Sequence, residues 1–195
     1  MSSFLSEAKA TRGALRRARD AAVRGKISPG EMQEISTQVL DKFAKALLEI
    51  KNSNLLKPKD IHPEISHVEV LNNYVASLLR NEQPLNLAGN PLDDSIVNSF
   101  YLVIPRLCLF KVEGTESMIA LLSTGALAMA VFSYLHEVPL YVAAVDANRQ
   151  NAILLNIPGR NAVVVDDIVG AQAKLVGENL RSGGKNVRVV NTLGR

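Results

Sequence analysis

The chain has 195 residues, of which 47% are hydrophobic and 21% are charged, and this is the composition of a globular protein rather than of a disordered one. Cys108 is its single cysteine, which excludes an internal disulfide framework and a multi-cysteine metal site and favours a cytoplasmic location. The net charge of +3 is unevenly distributed, because residues 1–26 contain seven basic and two acidic side chains (+5) and the remainder contains 15 basic and 17 acidic ones (−2).

The basic N-terminal segment has the pattern of a helix. Arg12, Arg16 and Arg19 share one helical face, beside a thin stripe of apolar and small residues. A helix with such a run of charges is more often exposed to solvent, or packed against another copy of the chain in a homo-oligomer, than bound to nucleic acid. Nucleic acid is the alternative partner for residues 1–26, because clustered cations attract phosphates.

A helical region follows. Ser28, Pro29 and Glu31 predict a helix start, with Ser28 as the N-cap, Pro29 at the first helical position and Glu31 completing a capping box. Apolar residues at helical spacing continue to about residue 50. Further helices are predicted over 63–80 and 95–105, on either side of a linker-like stretch. We therefore predict a helical N-terminal region, residues 1–92, and an α/β domain, residues 93–195.

Residues 118–135 form an uncharged run that approaches the length of a membrane-spanning helix. Ser123, Thr124 and Gly125 interrupt this run with residues that favour turns. A strand over 119–122, a turn and a helix over 126–135 explain the run better, and we expect no contact with a membrane.

Strand and helix patterns alternate through the C-terminal half. A helix is predicted over 171–181, and a β-hairpin excursion over 146–160. This alternation predicts an α/β fold with a mostly parallel sheet flanked by helices. The strands are predicted over 107–112, 119–122, 139–145, 162–165 and 187–190.

Asp166 and Asp167 directly follow the apolar run 162–165, which suits a strand that is buried on both faces of a sheet. Open α/β sheets bind ligands at the carboxyl ends of their strands. Two carboxylates there can accept hydrogen bonds from sugar hydroxyls or help to hold a divalent metal ion. Alternatively, the two acids only cap the helix that follows them.

This order of elements, with an apolar strand ending in Asp-Asp, resembles the type I phosphoribosyltransferases, and the orotate phosphoribosyltransferases most of all. The resemblance covers residues 119–190 and implies a phosphoribosyltransferase-like fold that binds phosphoribosyl pyrophosphate or a nucleotide. It implies Mg²⁺ as cofactor if the protein is an active glycosyltransferase, with no metal ligand directly assigned. By resemblance, the ribose hydroxyls would be bound by Asp166 and Asp167, the 5′-phosphate by Gly170, Ala171, Gln172, Ala173 and Lys174, and the pyrophosphate side by Ser123, Thr124, Gly125 and Arg149.

The chain departs from the family pattern at two places. The family's phosphate loop is rich in threonine and glycine, whereas residues 169–173 here read Val-Gly-Ala-Gln-Ala. Each lost hydrogen bond to a buried phosphate costs about 1.5–3 kcal/mol. Asp146 also stands where the orotate enzymes place a cation, which opposes a pyrophosphate anion. We therefore predict a protein that binds a phosphoribosyl or nucleotide ligand with weak or no transferase activity.

Other functions stay open. An active transferase would move ribose 5-phosphate from phosphoribosyl pyrophosphate to a nucleobase such as orotate. A nucleotide-sensing regulator would keep the ligand site and contact nucleic acid through its basic N-terminal helix, and a scaffold protein would use the fold only to form an oligomer. The alternative fold is an unrelated doubly wound domain of the sugar-phosphate isomerase type, reading phosphate through Ser123 and Thr124.

Overall fold

A computed structural model describes residues 4–49, 114–122, 126–127, 129–130, 133, 137–166 and 170–191. The predicted helices 63–80 and 95–105, the predicted strand 107–112 and the proposed boundary at residue 92 lie outside these residues. Between β1 and β2, the described positions 126–127, 129–130 and 133 are helical. In chain order the bounded elements are α1 (Phe4–Val23), α2 (Pro29–Glu49), β1 (Ser117–Leu121), β2 (Leu140–Asp146), β3 (Asn151–Ile153), β4 (Asn161–Asp166), α3 (Gly170–Ser182) and β5 (Asn186–Asn191).

The strands form one mixed sheet in the order β3-β2-β1-β4-β5. Strands β2, β1, β4 and β5 are parallel to one another, and β3 is antiparallel to β2. The α/β class is confirmed, but the prediction of a mostly parallel sheet is corrected to a mixed one. The physical reason is a tight turn after β2: the Asp146 carboxylate accepts hydrogen bonds from the backbone N–H groups of Asn148 (3.1 Å) and Arg149 (3.3 Å), and the chain returns directly along β2.

Helix α3 covers one face of the sheet. Its inward residues Ala173, Val176 and Leu180 are buried against the sheet. The strand residues of this core alternate along each strand, as expected for side chains that point to one face. They are Ile119 and Leu121 from β1, Ala143 from β2, Ala162 and Val164 from β4 and Val187 from β5.

Helices α1 and α2 pack against each other, and both contact β2. The capping box predicted at the start of α2 is confirmed: the Ser28 hydroxyl accepts a hydrogen bond from the Glu31 N–H (3.2 Å), and the Glu31 carboxylate accepts one from the Ser28 N–H (2.8 Å). The hydrogen bond from the Ser28 backbone is the main reason why the pKa of Glu31 lies below its ordinary value. The buried face of α1 consists mostly of small residues, which are Ala8, Thr11, Leu15, Ala18 and Ala22.

The side chain of Gln33 joins α2 to the backbone of β2. Its Nε2 donates a hydrogen bond to the Leu140 carbonyl (3.1 Å), and its Oε1 accepts one from the Val142 N–H (2.9 Å). Strand β3 pairs with β2 only at residues 144–146. The Gln33 amide therefore takes the place of a neighbouring strand where β3 does not reach, and it anchors the N-terminal helices to the sheet.

The uncharged run that begins at residue 118 starts inside β1 rather than inside a helix. Each helix in the described ranges is too short or too polar to cross a membrane.

Candidate functional site at the carboxyl edge of the sheet

The strand order creates a reversal next to β1. From β1 the chain goes outward through β2 and β3, and it then returns to the other side of β1 for β4 and β5. In open α/β sheets, ligands bind outside the carboxyl ends of the strands at such a topological switch point. The switch point here lies between the carboxyl ends of β1 and β4, which are parallel neighbours with Ala120 in register with Val165.

Asp166 is the last residue of β4 and therefore lies at this edge, in register with Asn191 of β5. Asp167 lies outside the described residues. Helix α3 begins at Gly170, a few residues beyond Asp166, so its N-terminus lies at the same edge of the sheet. The first N–H groups of a helix have no partner within the helix, and they carry a partial positive charge that favours anions.

The five residues predicted to bind the 5′-phosphate form the first turn of α3. This agrees with the helix predicted from residue 171. Ala171, Gln172 and Lys174 are exposed, whereas Ala173 is completely buried in the core under α3. Lys174 Nζ lies 3.9 Å from the Glu178 carboxylate, an exposed pair one helical turn apart. Only the exposed side chains and the backbone of this turn can meet a ligand.

Ser123, Thr124 and Gly125 also lie outside the described residues. Their position in the chain, directly after the buried Leu122, follows the carboxyl end of β1.

The carboxyl end of β2 brings Asp146 and Arg149 together. Arg149 Nε lies 3.5 Å from an Asp146 carboxylate oxygen, and the Asp146 side chain is 11% exposed while that of Arg149 is 79% exposed. The other oxygen of Asp146 accepts the two hydrogen bonds of the turn. The charge of Asp146, which the sequence presents as adverse to an anion, is thus balanced within the hairpin, and Arg149 presents a cation at the edge.

Sequence reasoning missed Arg24. The end of α1 lies against the β2–β3 hairpin, and together they line a groove of about 290 Å³ that includes Arg24, Asp146 and Arg149. No local pattern could have indicated this contact, because more than a hundred residues separate Arg24 from the hairpin.

At the opposite, amino-terminal edge of the sheet, two charged side chains form hydrogen bonds with the backbone. The Glu116 carboxylate accepts hydrogen bonds from the N–H groups of Arg160 (2.7 Å) and Asn161 (2.8 Å), and these bonds, that of Asn161 first, lower the pKa of Glu116. Lys185 Nζ donates to the carbonyls of Ile157 (2.6 Å) and Gly159 (2.7 Å). These hydrogen bonds satisfy backbone groups of the loop between β3 and β4 and fix its position, so this edge has a structural role.

Over the ranges that the structure covers, no three His, Cys, Asp or Glu side chains lie close enough together to hold a metal ion.

Comparison of the chain with protein-family models, with curated proteins and with solved structures returns no match.

Proposed function

We propose that the protein binds a phosphoribosyl or nucleotide ligand at the carboxyl edge of its sheet, with weak or no transferase activity. The ribose hydroxyls would be bound by Asp166 and Asp167, and the 5′-phosphate by the first turn of α3. Arg149 and residues 123–125 would lie on the pyrophosphate side.

The strand order is the observation that carries this proposal. It makes β1 and β4 the strands at the topological switch point, and Asp166 is the last residue of β4. The N-terminus of α3 follows within a few residues, at the same edge. A carboxylate for hydroxyls and a helix N-terminus for a phosphate are together suited to a sugar phosphate.

The residues of the α3 start support weak catalysis. Residues 170–174 contain no hydroxyl side chain, and Ala173 points into the core. The phosphate would depend on backbone N–H groups, Gln172 and Lys174. Loss of charge-assisted hydrogen bonds at about 1.5–3 kcal/mol each would leave the ligand bound but less firmly positioned for transfer.

Mg²⁺ would be held mostly by the phosphate oxygens of the ligand. Asp166 and Asp167 are the carboxylates that precede the start of α3 most closely in the sequence. Its chemistry would be to neutralise the charge of pyrophosphate.

Calorimetric titration with phosphoribosyl pyrophosphate and Mg²⁺ tests the proposal. We expect binding by the wild-type protein and its loss in the Asp166→Asn/Asp167→Asn variant. Glu34→Gln, an exposed carboxylate on α2, is the matched control and should bind as the wild type does. Absence of binding by the wild-type protein at millimolar ligand would contradict the proposal.

A turnover assay with orotate and with purine bases separates a binding protein from an active transferase. Pyrophosphate release well above the uncatalysed rate would favour the active transferase over a binding protein.

Nucleic acid is a second candidate ligand, favoured by the orientation of α1. The small residues of α1 are buried, and Lys9, Arg16 and Arg17 lie on the exposed surface of this helix. Asp20 partly offsets these cations through pairs with Arg19 (2.9 Å) and Arg16 (4.0 Å). A titration with duplex DNA tests this role. The affinity should fall as the salt concentration rises, and it should be lower in Arg16→Gln than in the wild type but unchanged in Lys42→Gln on α2.

A further inference from the structure

The groove between α1 and the β2–β3 hairpin has the composition of an anion site. Two arginines, Arg24 and Arg149, and one carboxylate, Asp146, line it together with apolar and amide side chains. The charged lining is therefore net positive by one unit. Its volume of about 290 Å³ is sufficient for a phosphate group with part of its hydration shell.

Asp146 orients Arg149 toward this groove. The carboxylate lies 3.5 Å from Nε of the guanidinium. Guanidinium groups bind phosphate best through two parallel N–H donors, and a guanidinium held by one nitrogen loses less freedom when it binds. Asp146 is thus a positioning residue for Arg149.

The end of α1 fixes Arg24 on the other side of the groove. The helix closes with hydrogen bonds from the Gly25 N–H to the Ala22 carbonyl (3.0 Å) and from the Lys26 N–H to the Ala21 carbonyl (2.8 Å). Gly25 adopts a φ of 67°, in the left-handed region that glycine tolerates. Arg24 therefore extends from a defined helix end, and its side chain is exposed.

We propose that Arg24 and Arg149 together bind a phosphate group, with Asp146 as the orienting carboxylate. The phosphate is either inorganic phosphate or the pyrophosphate end of the ligand proposed above. Only the second source rests on the proposed function. Binding would join α1 to the hairpin, because the two cations belong to different elements of the fold.

Titration with inorganic phosphate at low ionic strength tests the site itself. We expect binding by the wild-type protein and an affinity about tenfold or more lower in Arg24→Gln and in Arg149→Gln, because each removes charge-assisted hydrogen bonds. Arg17→Gln is the matched control, since Arg17 is an exposed arginine of α1 that does not line the groove. Circular dichroism and the Tm without phosphate show that each variant is folded.

Three results would overturn the proposal. The first is wild-type affinity in Arg24→Gln, and the second is an equal loss in Arg17→Gln, which would indicate a diffuse positive field. The third is no binding of phosphate by the wild-type protein at millimolar concentration.

A parallel titration with phosphoribosyl pyrophosphate and Mg²⁺ identifies the source of the phosphate. Weakening of both ligands in Arg24→Gln assigns the groove to the pyrophosphate end, and weakening of inorganic phosphate alone assigns it to free phosphate. Glu34→Gln, at an exposed carboxylate of α2 outside the groove, should leave the binding of inorganic phosphate unchanged. If phosphoribosyl pyrophosphate does not bind while phosphate does, the proposed function fails and the groove assignment stands.

Discussion

A side chain added at Gly177 would collide with β5. The Cβ of an alanine at this buried position would lie 2.7 Å from Val189 Cγ2, whereas carbon atoms in ordinary contact are about 3.5–4.0 Å apart. Glycine therefore allows α3 to approach the sheet closely. Since the first turn of α3 belongs to the candidate site, this packing also positions the site.

Two opposing effects determine how Gly177→Ala changes the free energy of unfolding. Alanine is favoured over glycine inside a helix by about 1 kcal/mol, and overpacking of a core costs about 1–3 kcal/mol. The net expectation is a loss of up to about 2 kcal/mol in the free energy of unfolding. Gly13→Ala is the matched control in α1, where the new Cβ would meet only the flexible Arg17 guanidinium at 3.5 Å. That variant should gain about 0.5–1 kcal/mol.

Urea unfolding followed by circular dichroism measures both variants. In the Gly177→Ala/Val189→Ala double variant the colliding methyl group is absent, so the cost of Gly177→Ala should largely disappear in that background. An equal gain in stability in Gly177→Ala and Gly13→Ala would refute the close packing of α3 against β5.

Three further changes test other contacts of the fold. Gln33→Ala should lower the free energy of unfolding by about 1–3 kcal/mol, because it leaves the carbonyl of Leu140 and the N–H of Val142 without their amide partner; urea unfolding measures this, and an unchanged midpoint would argue against the contact. Ser28→Ala should cost about 1 kcal/mol and Ser28→Asp much less, since aspartate also caps helices; equal losses in thermal unfolding would exclude capping as the cause. The pKa of Glu116 lies below its ordinary value of 4.5, so its contribution to stability is present above that pH and is lost as the pH falls through the lowered pKa. The difference in Tm between wild type and Glu116→Gln should therefore shrink from about pH 6 to about pH 3, and a constant difference would contradict this assignment.

Local patterns predicted most of the described elements. The capping box at Ser28 marks the start of α2, and the apolar run 162–165 is the interior of β4. The predicted helix 171–181 and strand 187–190 correspond to α3 and β5, each within a residue at either end. These predictions succeed because caps, turn residues and the period of apolar side chains act over a few residues.

Contacts between distant parts of the chain could not be predicted in this way. Gln33 pairs with β2 across more than a hundred residues, and Arg24 lines one groove with hairpin residues that are a similar distance away in the sequence. The sequence predicts a β-hairpin within residues 146–160, whereas the observed hairpin is formed by β2 itself and β3, which adds an antiparallel edge to the sheet. Such features depend on which surfaces meet in the folded chain.

For the candidate site too, local features could be predicted from the sequence and the arrangement of distant elements could not. The position of Asp166 at the end of a buried strand follows from the sequence, because four apolar residues precede it. The sequence alone does not set the strand order, and the strand order is what makes the end of β4 part of a switch point. Ala173 was included among the phosphate-binding residues through the family resemblance, yet its place is in the core.

Protein-observed NMR with phosphoribosyl pyrophosphate and Mg²⁺ would test the location of the site most directly. Binding at the carboxyl edge predicts shifts of the backbone amides of Asp166, Ala171 and Gln172, with little change at Glu116 and Asn161 on the opposite edge. Shifts confined to the opposite edge, or none at millimolar ligand, would contradict the central claim.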